Sequence, residues 1–210
     1  MIAAAAAGAV PVAWLVARAA GIVAFALLTT SVTLGLALST KLLGNRRGKM
    51  LLGWHQTLLW TSLGMVVLHL AGLLLDPVLR FGFLAVLLPG AAPWRTIPVA
   101  AGIVTMWLML VLASSFHLRR RIGQRQWRLL HYASSIAFTL GLYHALNVGS
   151  DLTGVRGLLF VGVAAAPVLW LAYARILMPR QTRKAPPRLT PPPAQPPLDD
   201  PAAPRAAVTA

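Results

Sequence analysis

Apolar residues in this chain run on in long blocks rather than alternating. Five blocks, at about residues 12–38, 51–75, 97–116, 127–148 and 157–177, are almost wholly apolar. Each reaches the roughly 20 residues a helix needs to cross a hydrocarbon layer about 30 Å thick. Lipid offers the backbone no hydrogen-bond partner, so such blocks must be helical. The pattern predicts an all-α integral membrane protein, with a five-helix transmembrane bundle over residues 12–178. A short extracytoplasmic segment, residues 1–11, precedes it. The first block has no basic leader and extends past a signal-peptide core, so it is read as a retained helix. Between the second and third blocks, residues 80–90 are too few to span and are broken by Pro89. That segment is expected to lie along the membrane interface.

The pattern changes after residue 178. Residues 179–210 are rich in Pro and Ala, with the runs Ala185-Pro186-Pro187 and Pro191-Pro192-Pro193. Such a composition cannot bury a core, and a disordered cytoplasmic tail is expected.

Charge refines the picture. Only 11% of residues are charged against 58% hydrophobic, and the net charge is +15. An excess of this size would suit nucleic acid if it formed one surface, but here it falls in short clusters between apolar blocks. Lys41, Arg46, Arg47 and Lys49 follow the first block, Arg119, Arg120, Arg121, Arg125 and Arg128 follow the third, and Arg175, Arg180, Arg183 and Lys184 follow the fifth. The other two connections hold only Asp76, Arg80 and Arg95, and Asp151 and Arg156. Strong and weak clusters alternate, as the positive-inside rule requires of a multi-pass protein in the inner (plasma) membrane. The N-terminus is expected outside and the C-terminus in the cytoplasm, with membrane lipid as the surrounding partner.

The candidate chemistry lies in histidines. With no Cys in the chain, thiolate metal sites and iron–sulfur clusters are excluded, so redox work needs a bound cofactor. His55 and His69 stand in the second block, His131 and His144 in the fourth, and His117 at the end of the third. An ionisable side chain at membrane depth is costly and points to function by default. Fourteen residues separate His55 from His69, about 21 Å along a helix and within roughly 40° of the same face. Two depths are thereby addressed. Both blocks cross in the same direction, so His55 matches His131 at an inner level and His69 matches His144 at an outer one. Two opposed imidazoles suit the axial positions of a b-type heme, whereas zinc or copper would want further ligands that neither block supplies. The 13-residue spacing of His131 and His144 rotates one roughly 140° from the other on an ideal helix. The fourth helix must therefore be distorted or tilted, or its two histidines must use different rotamers.

These residues resemble the ferric reductase-like transmembrane domain family, which includes ferric reductases, NADPH oxidases and the heme-bearing membrane subunit of bacterial methionine sulfoxide reductase systems. The resemblance covers about residues 18–177. It is carried by Arg18-Ala19-Ala20-Gly21, by His55 through His69 with Leu75-Asp76-Pro77, by Arg119-Arg120-Arg121-Ile122-Gly123 leading to Trp127-Arg128-Leu129-Leu130-His131, and by Tyr143-His144 with Gly149-Ser150-Asp151. It implies two hemes b, ligated by His55 with His131 and His69 with His144, and electron transfer across the membrane. The chain shows no Gly-rich nucleotide fingerprint between a strand and a helix. A separate donor, a flavin reductase or a quinone, is therefore expected, together with an extracytoplasmic acceptor.

Supporting residues carry two readings each. Arg18 could hold a propionate of the outer heme or snorkel to lipid headgroups. Arg125 and Arg128 could hold inner propionates or an anionic partner, or serve as topology determinants. Gly35, Gly64 and Gly141 are read as sites of close helix or heme approach. His117 is read as interfacial and not a ligand. The competing functions are a heme-free transporter with a histidine proton relay and an assembly protein whose histidines are structural. Midplane carboxylates and broken helices, which would favour a transporter, are not visible in the sequence.

Overall fold

The computed structural model describes residues 12–40, 48–149 and 154–177. The expected extracytoplasmic segment, 1–11, and the expected tail, 179–210, lie outside the described residues. Seven helices follow one another: α1 Val12–Thr40, α2 Gly48–Leu74, α3 Phe83–Leu87, α4 Thr96–Ile122, α5 Gln124–His131, α6 Ala133–Val148 and α7 Gly154–Leu177. Among the described residues there is no strand.

Four helices, α1, α2, α4 and α7, are long and apolar enough to cross a bilayer. The chain is thus an all-helical, multi-pass membrane protein. Large apolar side chains face outward along these helices, Leu158, Val163 and Trp170 on α7 among them. In water such a surface would aggregate; against lipid it costs nothing. Hydroxyls inside the helices are satisfied locally, as where Thr29 donates to the Phe25 carbonyl and Thr33 to the Thr29 carbonyl.

The fourth apolar block is not one helix. It divides at Tyr132 into α5, of 8 residues, and α6, of 16. At the break the backbone tightens, with Tyr132 N–H donating to the Leu129 carbonyl and Ser135 N–H to the Tyr132 carbonyl. These are three-residue steps in place of four, which rotate the two segments relative to each other. Of the distortion, tilt or rotamer change that the 13-residue histidine spacing calls for, a local distortion is present between the two histidines.

Packing arranges α1, α2, α4 and α6 in a ring. α1 packs on α2, α2 on α4, α4 on α6 and α6 on α1, while α7 lies against α1. Helix α2, which carries His55 and His69, and α6, which carries His144 and begins just after His131 at the end of α5, therefore stand on a diagonal and are not closely packed on each other. Halfway along, the space between them is filled by Phe25, Leu28, Leu63, Met109 and Phe138. Phe25 stacks on Phe138 at 5.8 Å. This layer separates the two histidine levels.

The connections are tied down by short-range bonds. Asp76 is buried at 3% exposure and its Oδ1 accepts the N–H groups of Val78 and Leu79 at 2.7 and 2.9 Å, turning the chain after α2. The segment expected along the interface forms a small cap, with Phe81, Ala85 and Val86 buried against Leu70, Leu73 and Val99. Gly123, at φ 82°, permits the reversal from α4 into α5.

Candidate functional site

The four histidines meet in two pairs, matched by depth. The ring centroids of His55 and His131 lie 6.1 Å apart, and those of His69 and His144 lie 6.4 Å apart. A direct N–H···N bond between imidazoles would bring the centroids to roughly 5 Å. A metal–nitrogen bond of about 2 Å, with roughly 1.1 Å from nitrogen to ring centre, sets two trans imidazoles about 6.3 Å apart. Both pairs have the second spacing.

Three of the four imidazoles are oriented by neighbouring helices. His55 Nδ1 donates to the Ser31 carbonyl at 2.8 Å, His69 Nδ1 to the Ala17 carbonyl at 2.6 Å, and His144 Nδ1 to the Pro98 carbonyl at 2.8 Å. The Ser31 hydroxyl adds a bond to the His55 carbonyl at 3.0 Å. A proton held at Nδ1 leaves the Nε2 lone pair as the available ligand, the usual arrangement for a metal-bound histidine. Because α1 and α4 flank the diagonal, each anchor lies beside the gap and not within it.

A glycine lies beside each of these three bonds, and at two of them it is what leaves room for the imidazole. Gly35 follows Ser31, Gly21 follows Ala17 and Gly102 follows Pro98 by one helical turn. In a helix the carbonyl of residue i lies against the backbone of residue i+4, so a side chain there would block the imidazole. A Cβ at Gly21 would stand 2.9 Å from His69 Nδ1, one at Gly102 2.5 Å from His144 Nδ1, and one at Gly35 3.1 Å from His55 Cε1. Of the three glycines expected to permit close approach, Gly35 does so against a histidine, Gly141 does so against Thr105 and Phe25, and Gly64 faces open space. Gly21 and Gly102 were not legible as histidine seats. The recurring signal is a glycine at histidine depth in the adjacent helix.

Each pair opens onto a cavity. One, of about 450 Å³, the cavity expected on the outer side, is lined by His69 and His144 with Phe25, Ile103, Met106 and Phe160. The other, of about 760 Å³, the cavity expected on the inner side, is lined by His55 and His131 with Leu59, Trp60 and Leu112. Both fall within the roughly 300–1,000 Å³ of small-molecule and cofactor sites, and apolar lining of this kind suits a macrocycle. Cations complete each site. Arg18 lies 4.4 Å over the Trp14 ring and Arg95 4.9 Å over the Trp94 ring, and both line the outer cavity. Arg95 also donates to the Asn147 carbonyl beside His144. Arg119, Arg128 and Arg175 line the inner cavity, whereas Arg125 does not.

Among the described residues no group of three His, Cys, Asp or Glu side chains converges. The donor set at each level is two imidazoles, which is complete for a heme whose macrocycle supplies the other four nitrogens. The sites therefore fit that group better than a bare metal ion. His117 has no histidine opposite it. It is exposed, stands edge-on to Phe116 at 6.0 Å and contributes only to the wall of the inner cavity.

No protein-family model, curated protein or solved structure matches this chain.

Proposed function

We propose that the protein carries electrons across a membrane through two hemes b, one at each histidine pair, as the membrane subunit of a ferric reductase-like oxidoreductase system. The observation that supports this most is the pairing itself. Four histidines, drawn from α2 on one side and from α5 and α6 on the other, meet two by two at spacings near 6.3 Å, with Nδ1 of three of them tied to carbonyls.

The residues divide the work. His55 and His131 would hold the inner heme, and His69 and His144 the outer one; each bound heme supplies a one-electron carrier. The Ser31, Ala17 and Pro98 carbonyls hold the proton at Nδ1 and so keep Nε2 directed at the metal. Arg18 and Arg95 at the outer site, and Arg128 and Arg175 at the inner one, offer partners for propionates that would otherwise be anions in a medium of low dielectric. The layer of Phe25, Leu63 and Phe138 excludes water between the sites.

Topology follows from the same reading. In this view α5 and α6 together make the fifth crossing, since 16 residues of α6 alone rise only about 24 Å. With the basic clusters inside, the N-terminus is outside and His55 and His131 lie toward the cytoplasm. A separate flavin reductase or the quinone pool would donate there, and an extracytoplasmic acceptor would be served at the other face.

The optical spectrum of the purified protein tests this. After expression with adequate heme, it should show the Soret and split visible bands of a low-spin b-type heme, at two hemes per chain. A protein without a Soret band would be a heme-free transporter or an assembly factor.

A further inference from the structure

The inner pair is held unequally. His55 has the Ser31 carbonyl at 2.8 Å and the Ser31 hydroxyl at 3.0 Å on its Nδ1. His131 has nothing: its Nδ1 is shut off from solvent and finds no hydrogen-bond partner among the described residues. No described glycine seats it against a neighbouring helix, as Gly21, Gly35 and Gly102 seat the other three imidazoles.

Its place in the chain compounds the difference. His131 is the last residue of α5 and immediately precedes the break at Tyr132. His55, His69 and His144 all lie inside longer helices, α2 and α6. What covers His131 is Trp127 from the preceding turn, stacked on it at 5.0 Å and 22°. Trp127 cannot orient the imidazole by hydrogen bonding, and its own Nε1 is likewise buried without a partner. A ligand histidine normally gives its second nitrogen to a carbonyl or carboxylate, which fixes the ring and strengthens its donation to the metal; loss of that partner weakens binding by roughly 10- to 100-fold.

We propose that His131 is the exchangeable ligand of this protein, and that the inner site alone admits a small neutral diatomic molecule in its place. The inference rests on the two-heme reading. With heme bound there, carbon monoxide would take the position that His131 Nε2 would otherwise hold, one bond to the metal being exchanged for another. Each ligand would keep its own electron pair, no electron would be transferred, and His131 would leave as the neutral imidazole. Electron arrival from the cytoplasmic side would thereby be sensitive to diatomic gases, while the outer heme, with both ligands tied to carbonyls, would not be.

The experiment is a carbon monoxide titration of the dithionite-reduced, heme-loaded protein followed by absorption. The expected stoichiometry is one carbon monoxide per two hemes. His69→Ala protein, left with the inner heme, should bind carbon monoxide at its remaining heme. His55→Ala protein, left with the outer heme, should not. Two hemes that both resist carbon monoxide in the wild type, or an outer heme in His55→Ala protein that binds it, would overturn the proposal while leaving the two-heme reading intact. Because the wild-type stoichiometry needs no variant to fold, it decides between one reactive heme and none or two. Absence of heme from the wild-type protein would end the two-heme reading and this inference with it.

Discussion

In sealed inside-out vesicles, His69→Ala and His144→Ala proteins are expected to keep an inner heme that a cytoplasmic-side donor reduces, yet deliver electrons to an impermeant acceptor on the far face no faster than heme-free vesicles. The reason is distance. Fourteen residues of α2 separate the two levels, about 21 Å of helix, and the layer between them is packed with Phe25, Leu63 and Phe138. His55→Ala and His131→Ala proteins should show the opposite defect, with an outer heme that an impermeant reductant on the far face reduces and that a cytoplasmic donor does not. A C-terminal tag accessible on the outside of the vesicles verifies their orientation. If His55→Ala behaved as His69→Ala does, the histidines would be paired along one helix and the transmembrane relay would be wrong.

The second large effect is expected from a residue that supplies no ligand, a glycine in the wall of the cavity beside His144. A methyl group at Gly102 would stand 2.5 Å from Nδ1, 2.7 Å from Cε1 and 2.8 Å from Cγ of His144. Real atoms do not approach so closely, and His144 must give up either its bond to the Pro98 carbonyl or its position opposite His69. Gly102→Ala should therefore weaken the outer heme by about 10- to 100-fold, the usual cost of losing a ligand's hydrogen-bond partner. The inner heme should remain. Gly162→Ala, on α7 with open space around it, should retain both and controls for the general cost of the substitution. Heme-to-protein ratios after detergent exchange give the comparison. Full loading of Gly102→Ala would mean that the carbonyl anchor does not position His144.

Much of the site was legible because membrane helices constrain sequence so tightly. A residue as polar as histidine stands out in an apolar block, and helix periodicity converts a spacing of 14 into two levels on one face. The pairing of His55 with His131 and His69 with His144 followed from depth alone, and the ring centroids lie as that pairing requires. The location of the break in the fourth block was not legible. Leu130-His131-Tyr132-Ala133 contains neither Gly nor Pro, the residues that usually mark a break, so nothing in the local sequence points to the change to three-residue steps at Tyr132. The break also divides the expected fourth span into pieces of 8 and 16 residues, which is why four helices, not five, are individually long enough to cross.

The glycine seats were hidden for a different reason. Which helix face meets a histidine depends on neighbours distant in sequence, and Gly102 and His144 are 42 positions apart. Arg18-Ala19-Ala20-Gly21 drew notice as part of a resemblance, but the role of Gly21 emerged only when α1 was placed against α2. The same holds for Arg95 and Arg175. Their charges read as topology, and the structure adds that each lines a histidine cavity.

Heme content of the paired double mutants tests the central claim most directly. Removing both members of one pair, His55→Ala with His131→Ala, should leave one heme per chain, because the outer site is untouched. Removing one member of each pair, His55→Ala with His69→Ala, should leave none, since each site has lost one of its two axial bonds. His117→Ala should retain two. Loss of both hemes from the His55/His131 double mutant, or retention of one heme in the His55/His69 double mutant, would contradict the assignment of one heme to each level.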